Sequence, residues 1–206
     1  MELLLWADTQ AICAIRKEFL NYKAVVTSTD TVLGLLAPAR QWGFDALRSI
    51  KKREQKPFII LINSFDQLSN LVDPLALSYI PFLKKIWPAS VTFIFKAKAG
   101  IESWMCTAEH TIAIRMPNHK GLQEVISFSG PLFSTSANQA GFSVATTFDA
   151  LDPVFMPFVN LAVVDRIDDQ KTQASTIVDL STDSIRLIRQ GVYSFELIKE
   201  IFKSAH

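Results

Sequence analysis

The sequence predicts a layered α/β fold, and three observations carry that prediction. Short runs of β-branched and aromatic residues alternate with amphipathic segments along the chain. One run, Phe58-Ile59-Ile60-Leu61-Ile62, is apolar on both faces, as a strand in the middle of a sheet must be. The composition is that of a folding chain: of 206 residues, 49% are hydrophobic and 20% charged, well outside the low-hydrophobicity range of disorder. Taken in order, Leu3-Leu4-Leu5-Trp6 is an apolar start preceded by Glu2 and broken by Asp8, so it fails as a secretory signal. A first helix is expected near Asp8 or Thr9 as cap, with Ile12, Ile15 and Phe19 turned inward. A strand over 24–27 precedes a polar turn and a helix over 43–52 carrying Phe44, Leu47 and Ile50. After the central strand come helical patterns at 65–71 and 74–86. Strands are then expected at 91–95, 111–116 and 132–134, punctuated by Pro117 and Pro131. Beyond Gly141 the pattern predicts a helix over 148–155, strands at 161–164, 176–180 and 185–188, and a last helix from the N-cap Ser194 to Lys203. With no repeat or linker, the expectation is one domain over residues 1–206.

Charge and composition exclude several function classes. Lys and Arg number 21 against 20 for Asp and Glu, a formal charge of +1, so no global field draws the chain to nucleic acid or anionic membrane. Any anion site must be local. Only 7 glycines occur, and none falls in a phosphate-cradling glycine loop. Cys13 and Cys106 could form at most one bridge and are expected as reduced, buried thiols. The longest apolar runs fall far short of the ~20 residues that cross a bilayer. The expected compartment is the cytoplasm, with no membrane partner.

Four groups of residues could carry chemistry. Arg48, Lys51, Lys52, Arg53 and Lys56 fall within nine positions, a cluster that could hold a polyphosphate or simply solvate a helix end. The segment Ser134-Thr135-Ser136-Ala137-Asn138 sets hydroxyls and an amide at a strand end, where open α/β sheets bind ligands, although such residues also close turns on their own backbone. The cassette Thr27-Ser28-Thr29-Asp30-Thr31 is similar, with Asp30 either a site group or a turn residue. Arg115, inside an otherwise apolar strand, must meet a carboxylate, internal or from a ligand, and Arg189 poses the same question. Cys106, His110 and His119 do not match a zinc spacing, so no metal site is expected. No G-x-S-x-G elbow occurs. The aromatics, including 15 Phe, lie in apolar runs and read as core, not as an RNA-stacking platform.

The cassettes also recur in a familiar order. They run Ser28-Thr29-Asp30-Thr31-Val32-Leu33-Gly34-Leu35, Lys51-Lys52-Arg53, Trp87-Pro88-Ala89-Ser90-Val91-Thr92, Ile114-Arg115-Met116-Pro117, Ser134-Thr135-Ser136-Ala137-Asn138 with Gly141, Ser175-Thr176-Ile177-Val178-Asp179, and Ile188-Arg189-Gln190-Gly191. In this order, over about residues 20–192, they resemble the YrdC/TsaC-type threonylcarbamoyl-adenylate synthases, which start threonylcarbamoyladenosine formation in tRNA. The resemblance implies a twisted, open, mixed sheet with flanking helices around a large cavity in which ATP, L-threonine and bicarbonate meet, with Mg2+ accompanying the ATP. It further implies ATP contacts at Lys51, Arg53, Lys56, Thr111, Ser136, Asn138 and Arg189, with Lys51 and Arg53 as the catalytic cations. Threonine contacts are implied at Thr29, Arg115, Ser134 and Ser175, with Arg115 forked onto the carboxylate. The chain departs from the pattern at Ser28 (usually Pro), Leu33 (Tyr), Leu61 (often His), Ala89-Ser90 (Gly-Pro), Ala140 (Ser), Val144 (often Ser) and in a segment 53–57 one residue short. Ending soon after Gly191, it resembles the short, single-domain form. The alternatives are a non-catalytic RNA-binding module of the same fold and a paralogue with another amino-acid preference. Possible partners are tRNA and the proteins that transfer the threonylcarbamoyl group to it.

Overall fold

A computed structural model of the chain describes residues 1–52, 57–138, 145, 147–166, 173–182 and 184–205. Ten strands and six α-helices occur among them: β1 (Glu2–Leu5), α1 (Ala11–Leu20), β2 (Val25–Thr27), β3 (Gly34–Pro38), α2 (Gln41–Lys51), β4 (Ile59–Leu61), α3 (Phe65–Ser69), α4 (Ile80–Leu83), β5 (Val91–Lys96), β6 (Thr111–Arg115), α5 (Lys120–Ser129), β7 (Leu132–Ser136), β8 (Leu161–Val164), β9 (Thr176–Asp179), β10 (Arg186–Arg189) and α6 (Phe195–Lys203). All ten strands join one open sheet in the order β1-β8-β2-β3-β7-β4-β6-β5-β9-β10. The sheet is mixed. The β1–β8, β2–β8, β4–β6 and β5–β9 pairs are parallel, and the β2–β3, β3–β7, β4–β7, β5–β6 and β9–β10 pairs are antiparallel. The apolar run at 58–62 supplies β4, which lies between β7 and β6 as its two-sided hydrophobicity requires.

The period-two alternation of side chains sorts each strand between two layers. Val26, Leu35, Ala37, Ile60, Ile112, Ile114, Phe93, Phe95, Phe133, Ala162 and Val178 belong to the larger core, with Phe44 and Leu47 of α2, Leu68 of α3, Phe82 of α4 and Ile198 of α6. The opposite face carries Val25, Leu36, Leu61, Leu132, Leu161 and Val163, packed under Ala11, Ile15 and Phe19 of α1 and Leu122, Val125 and Ile126 of α5. That second layer spans only the strands from β1 to β4. Among the described residues no helix lies on the same face over β6, β5, β9 and β10, and there the structure forms a cavity.

Several sequence expectations change here. β1, β3 and α5 are additional elements. The 148–155 segment is not an α-helix: it makes turns and then a 3-10 turn, Pro153–Phe155, with Asp152 Oδ1 accepting from the Val154 amide at 2.9 Å. The 74–86 segment is divided into a 3-10 stretch, Pro74–Tyr79, and the single turn of α4, because Pro81 cannot supply the amide a continuous helix needs. α1 starts after Gln10, which makes no side-chain cap bond, instead of at Asp8 or Thr9. Ile12 is half-buried. Both thiols are free, but Cys13 is exposed on the outer side of α1 and only Cys106 is buried. Among the described residues no helix is long and apolar enough to cross a membrane.

Candidate active site

The cavity encloses about 320 Å³, and its floor is the uncovered part of the sheet, a volume in the ligand-pocket range of roughly 300–1,000 Å³. Ile59, Ala113, Ile94 and Ile177 come from four neighbouring strands and make an apolar strip. Thr29, Thr31, Arg115, Ser134, Ser136, Ser175 and Arg189 set polar groups around it. Arg115 reaches the cavity because it shares its face of β6 with Ala113, while Ile112 and Ile114 point into the larger core.

Arg115 is only 4% exposed. Its Nη1 donates to Thr31 Oγ1 at 3.1 Å, and its Nη2 lies 3.5 Å from Asp30 Oδ1. Asp30 is held in turn by Ser90 Oγ at 3.0 Å and the Asn118 amide at 3.3 Å, both donating to Oδ2. Among the described residues three buried side-chain atoms have no hydrogen-bond partner: Thr27 Oγ1, Asp30 Oδ1 and Arg115 Nε. All three belong to the cassette that ends β2 or to the arginine it faces. Buried polar atoms left unmatched cost about 1–3 kcal/mol each, and of the three only Arg115 belongs to the cavity lining.

Arg189 arrives from the far edge. β10 pairs Arg186 with Asp179 and Arg189 with Ile177, four residues against three, so the strand carries a bulge. The extra residue puts both arginines on the cavity face, the re-aiming for which bulges are used near sites. Arg189 Nε and Nη2 donate to the Ser175 carbonyl at 3.2 and 2.9 Å. Ser175 Oγ meets Thr92 Oγ1 at 2.9 Å. Gly191 makes the approach possible, since a Cβ there would lie 2.2 Å from the Ala174 carbonyl oxygen. Burial pushes the Arg115 guanidinium below its ordinary range despite the opposing charge of Asp30. Arg189 is lowered too, by desolvation first and by the charge of Arg115 second. Two guanidiniums therefore feel each other across the cavity, and the Asp30 carboxylate stands beside Arg115 alone.

Lys51 takes another route. It is buried at the end of α2, where its Nζ donates to the Ser136 carbonyl at 2.9 Å and to the Asn138 carbonyl, with Asn138 Oδ1 at 3.4 Å. Ser136 Oγ donates to Asn138 Oδ1. The buried ammonium thus draws the segment after β7 against α2.

Comparison with known proteins decides the family. The Sua5/YciO/YrdC family model, described as telomere recombination, matches residues 19–191. The chain belongs to this family. It is 33% identical over 182 residues, 86% of its length and 84% of the relative's, to a Methanocaldococcus jannaschii protein provisionally named a threonylcarbamoyl-AMP synthase. Among solved structures it resembles P. abyssi Sua5 complexed with L-threonine, at TM-score 0.86 and 24% identity over 98% of this chain, and spans 61% of that longer chain. E. coli YciO has the same fold, at TM-score 0.77 and 19% identity over 93% of this chain and 94% of that one.

Of the residues singled out from sequence in this family member, Thr29, Arg115, Ser134, Ser136, Ser175 and Arg189 line one cavity. Asn138 and Lys51 stand beside it through Ser136. Thr111 is on the same face of β6 but beyond the lining, with its hydroxyl on Thr107 Oγ1 at 2.7 Å. Arg53 and Lys56 lie outside the described residues, as do Ala140, Gly141 and Val144. Lys52 is exposed, at a left-handed turn after α2. Of the motif departures, Leu33 and Leu61 are buried in the two cores, and Ser28 Oγ accepts from the Asp165 amide at 2.7 Å. None of these three lines the cavity. His119 packs on Trp6 and Asp165, apart from the Cys106 and His110 wall. Sequence reasoning assigned no role to Thr31, Ser90 or the isoleucine floor. The signal for the floor was Ala113 beside Arg115 in period two, a small residue on the face that carries the buried arginine.

Proposed function

We propose that the chain is an L-threonylcarbamoyladenylate synthase, forming threonylcarbamoyl-AMP and pyrophosphate from L-threonine, bicarbonate or CO2, and ATP, for threonylcarbamoyladenosine modification of tRNA. The observation that carries the reading is the convergence of Arg115, whose Nε has no partner among the described residues, Arg189 and the hydroxyls of Thr29, Thr31, Ser134 and Ser175 on one cavity. The relative's name supports the same activity. In this reading Arg115 forks onto the threonine carboxylate, with Thr29, Ser134 and Ser175 around the rest of the amino acid. Lys51, Arg53, Lys56, Thr111, Ser136, Asn138 and Arg189 serve the nucleotide, and Mg2+ enters as part of the substrate with ATP.

The chemistry needs no protein nucleophile. The threonine amine takes up CO2, or bicarbonate with loss of water, to form a carbamate. One carbamate oxygen then attacks the α-phosphorus, and pyrophosphate leaves with the electron pair of the broken P–O bond. Catalysis of such a step rests on alignment and on cations that meet the charge of the leaving group. The cytoplasm is the compartment in which the product would be used, and residues 1–206 act as one catalytic unit. Incubation with ATP, L-threonine and bicarbonate is expected to give threonine-dependent pyrophosphate and the carbamoyl-adenylate. Absence of both with every amino acid tried would remove the proposal.

A further inference from the structure

Arg115 is the group that the proposed function sets on the threonine carboxylate, and its orientation is not of its own making. The guanidinium is nearly fully buried, and an arginine side chain left to itself has several rotamers to choose among. Two contacts restrict it. Thr31 Oγ1 takes Nη1, and Asp30 stands beside Nη2 at 3.5 Å, too long for a good hydrogen bond yet close enough for strong attraction where water is scarce. Nε has no protein partner among the described residues.

Asp30 has a side chain only 5% exposed and is absent from the cavity lining, so it acts through Arg115. Its own position is over-determined. Ser90 donates to both the carboxylate and the backbone carbonyl of Asp30, at 3.0 and 3.1 Å, from the residue just before β5. The Asn118 amide donates at 3.3 Å from the β6–α5 connection. Both bonds fall on Oδ2, which leaves Oδ1 turned to Arg115.

We infer that Asp30 is a positioning residue that aims the carboxylate-reading fork of Arg115, and that Ser90 holds Asp30 in place. The inference rests on the reading of Arg115 as the carboxylate site. It separates from a plain counter-charge role, because removal of a counter-charge would tighten carboxylate binding, whereas removal of a positioning group weakens it.

The test is binding of L-threonine and of L-threoninamide, which lacks the carboxylate charge, to the intact chain and to Asp30→Asn, Asp30→Glu and Ser90→Ala. The asparagine keeps an oxygen for Ser90 and Asn118 but turns an amide donor toward Nη2. Threonine affinity is expected to fall at least about tenfold in Asp30→Asn, with the preference for threonine over threoninamide reduced by a similar factor while ATP affinity holds. Asp30→Glu should recover part of the preference. Ser90→Ala, which keeps every charge, should lose roughly two- to fivefold. Asp30→Asn that binds threonine as tightly as the intact chain, or tighter, overturns the inference. So does equal loss of threonine, threoninamide and ATP, which would make Asp30 merely structural. An intact chain that binds threonine without preferring it to threoninamide would overturn the assignment of Arg115 itself.

Discussion

At the residue scale, the site depends on side chains that are costly where they stand. Arg115 is buried, and burial of a guanidinium is tolerated only with compensation. Sequence alone demanded a carboxylate for it and left open whether that carboxylate was internal. The structure supplies an internal one, Asp30, at 3.5 Å, and leaves Nε without a partner among the described residues. Gly191 is the complementary case, a residue defined by what it lacks. Gly191→Ala would force a methyl to within 2.2 Å of the Ala174 carbonyl and 2.4 Å of the Ser175 carbonyl carbon. Backbone cannot swing aside as a side-chain tip can, so the variant is expected to lose about 2–3 kcal/mol, or about 4–12 °C in Tm for a chain of this size. Nucleotide binding should weaken with it, because Arg189 is anchored on the same Ser175 carbonyl. Thermal unfolding and an ATP titration read the two effects, and an unchanged Tm would show that β10 is not held by this close approach.

At the element scale, strongly patterned segments were legible and weakly patterned ones were not. α2 and α6 have clear amphipathic spacing and β4 a two-sided apolar run, so each was found near its place. β3 escaped because Gly34 and Pro38 bound an all-apolar stretch that lacks alternation, and only pairing with β2 and β7 makes it a strand. α5 escaped because its N-cap is His119, whose Nδ1 accepts from the Leu122 amide at 3.2 Å, where Ser, Thr, Asp or Asn is usual. β10 is an edge strand joined to β9 by Asp179 and Arg186 at 2.8 Å. Burial raises the Asp179 carboxyl, but the Ser181 hydroxyl and amide and the Arg186 guanidinium outweigh it and hold the group below its usual range. A carboxylate depressed on folding adds stability in full above its unfolded value near pH ~4 and loses it as pH falls through the lower folded value. Stability followed from pH 6 down to pH 2 should therefore drop at the acid end, and Asp179→Asn should flatten part of that drop. Parallel curves for the two proteins would remove Asp179 from the acid response.

At the scale of the whole molecule, one ten-stranded sheet is covered unequally. Helices α2, α3, α4 and α6 pack on one face, while α1 and α5 cover only the strands from β1 to β4 on the other. The cavity is the remainder of that second face, so half-buried isoleucines, the buried Arg115 and the exposed Arg189 lie side by side there. A ligand that fills it binds the folded chain alone, so ATP or threonine, each given alone at about 100 times its Kd, should add about 2.7 kcal/mol, read as a Tm rise of roughly 5–11 °C. No rise with either ligand would show that the cavity is not their site. The sequence by itself determined the α/β class, most of the strands and the residue types of the site, because hydrophobic period and polar cassettes are local properties. Only the tertiary structure decided which sheet face stays open, that Asp30 and Ser90 stand behind Arg115, and that a bulge turns Arg189 toward it. Asp30 and Ser90 are 60 residues apart and Arg115 and Arg189 74, and their meeting is set by strand order and register, which no local pattern encodes.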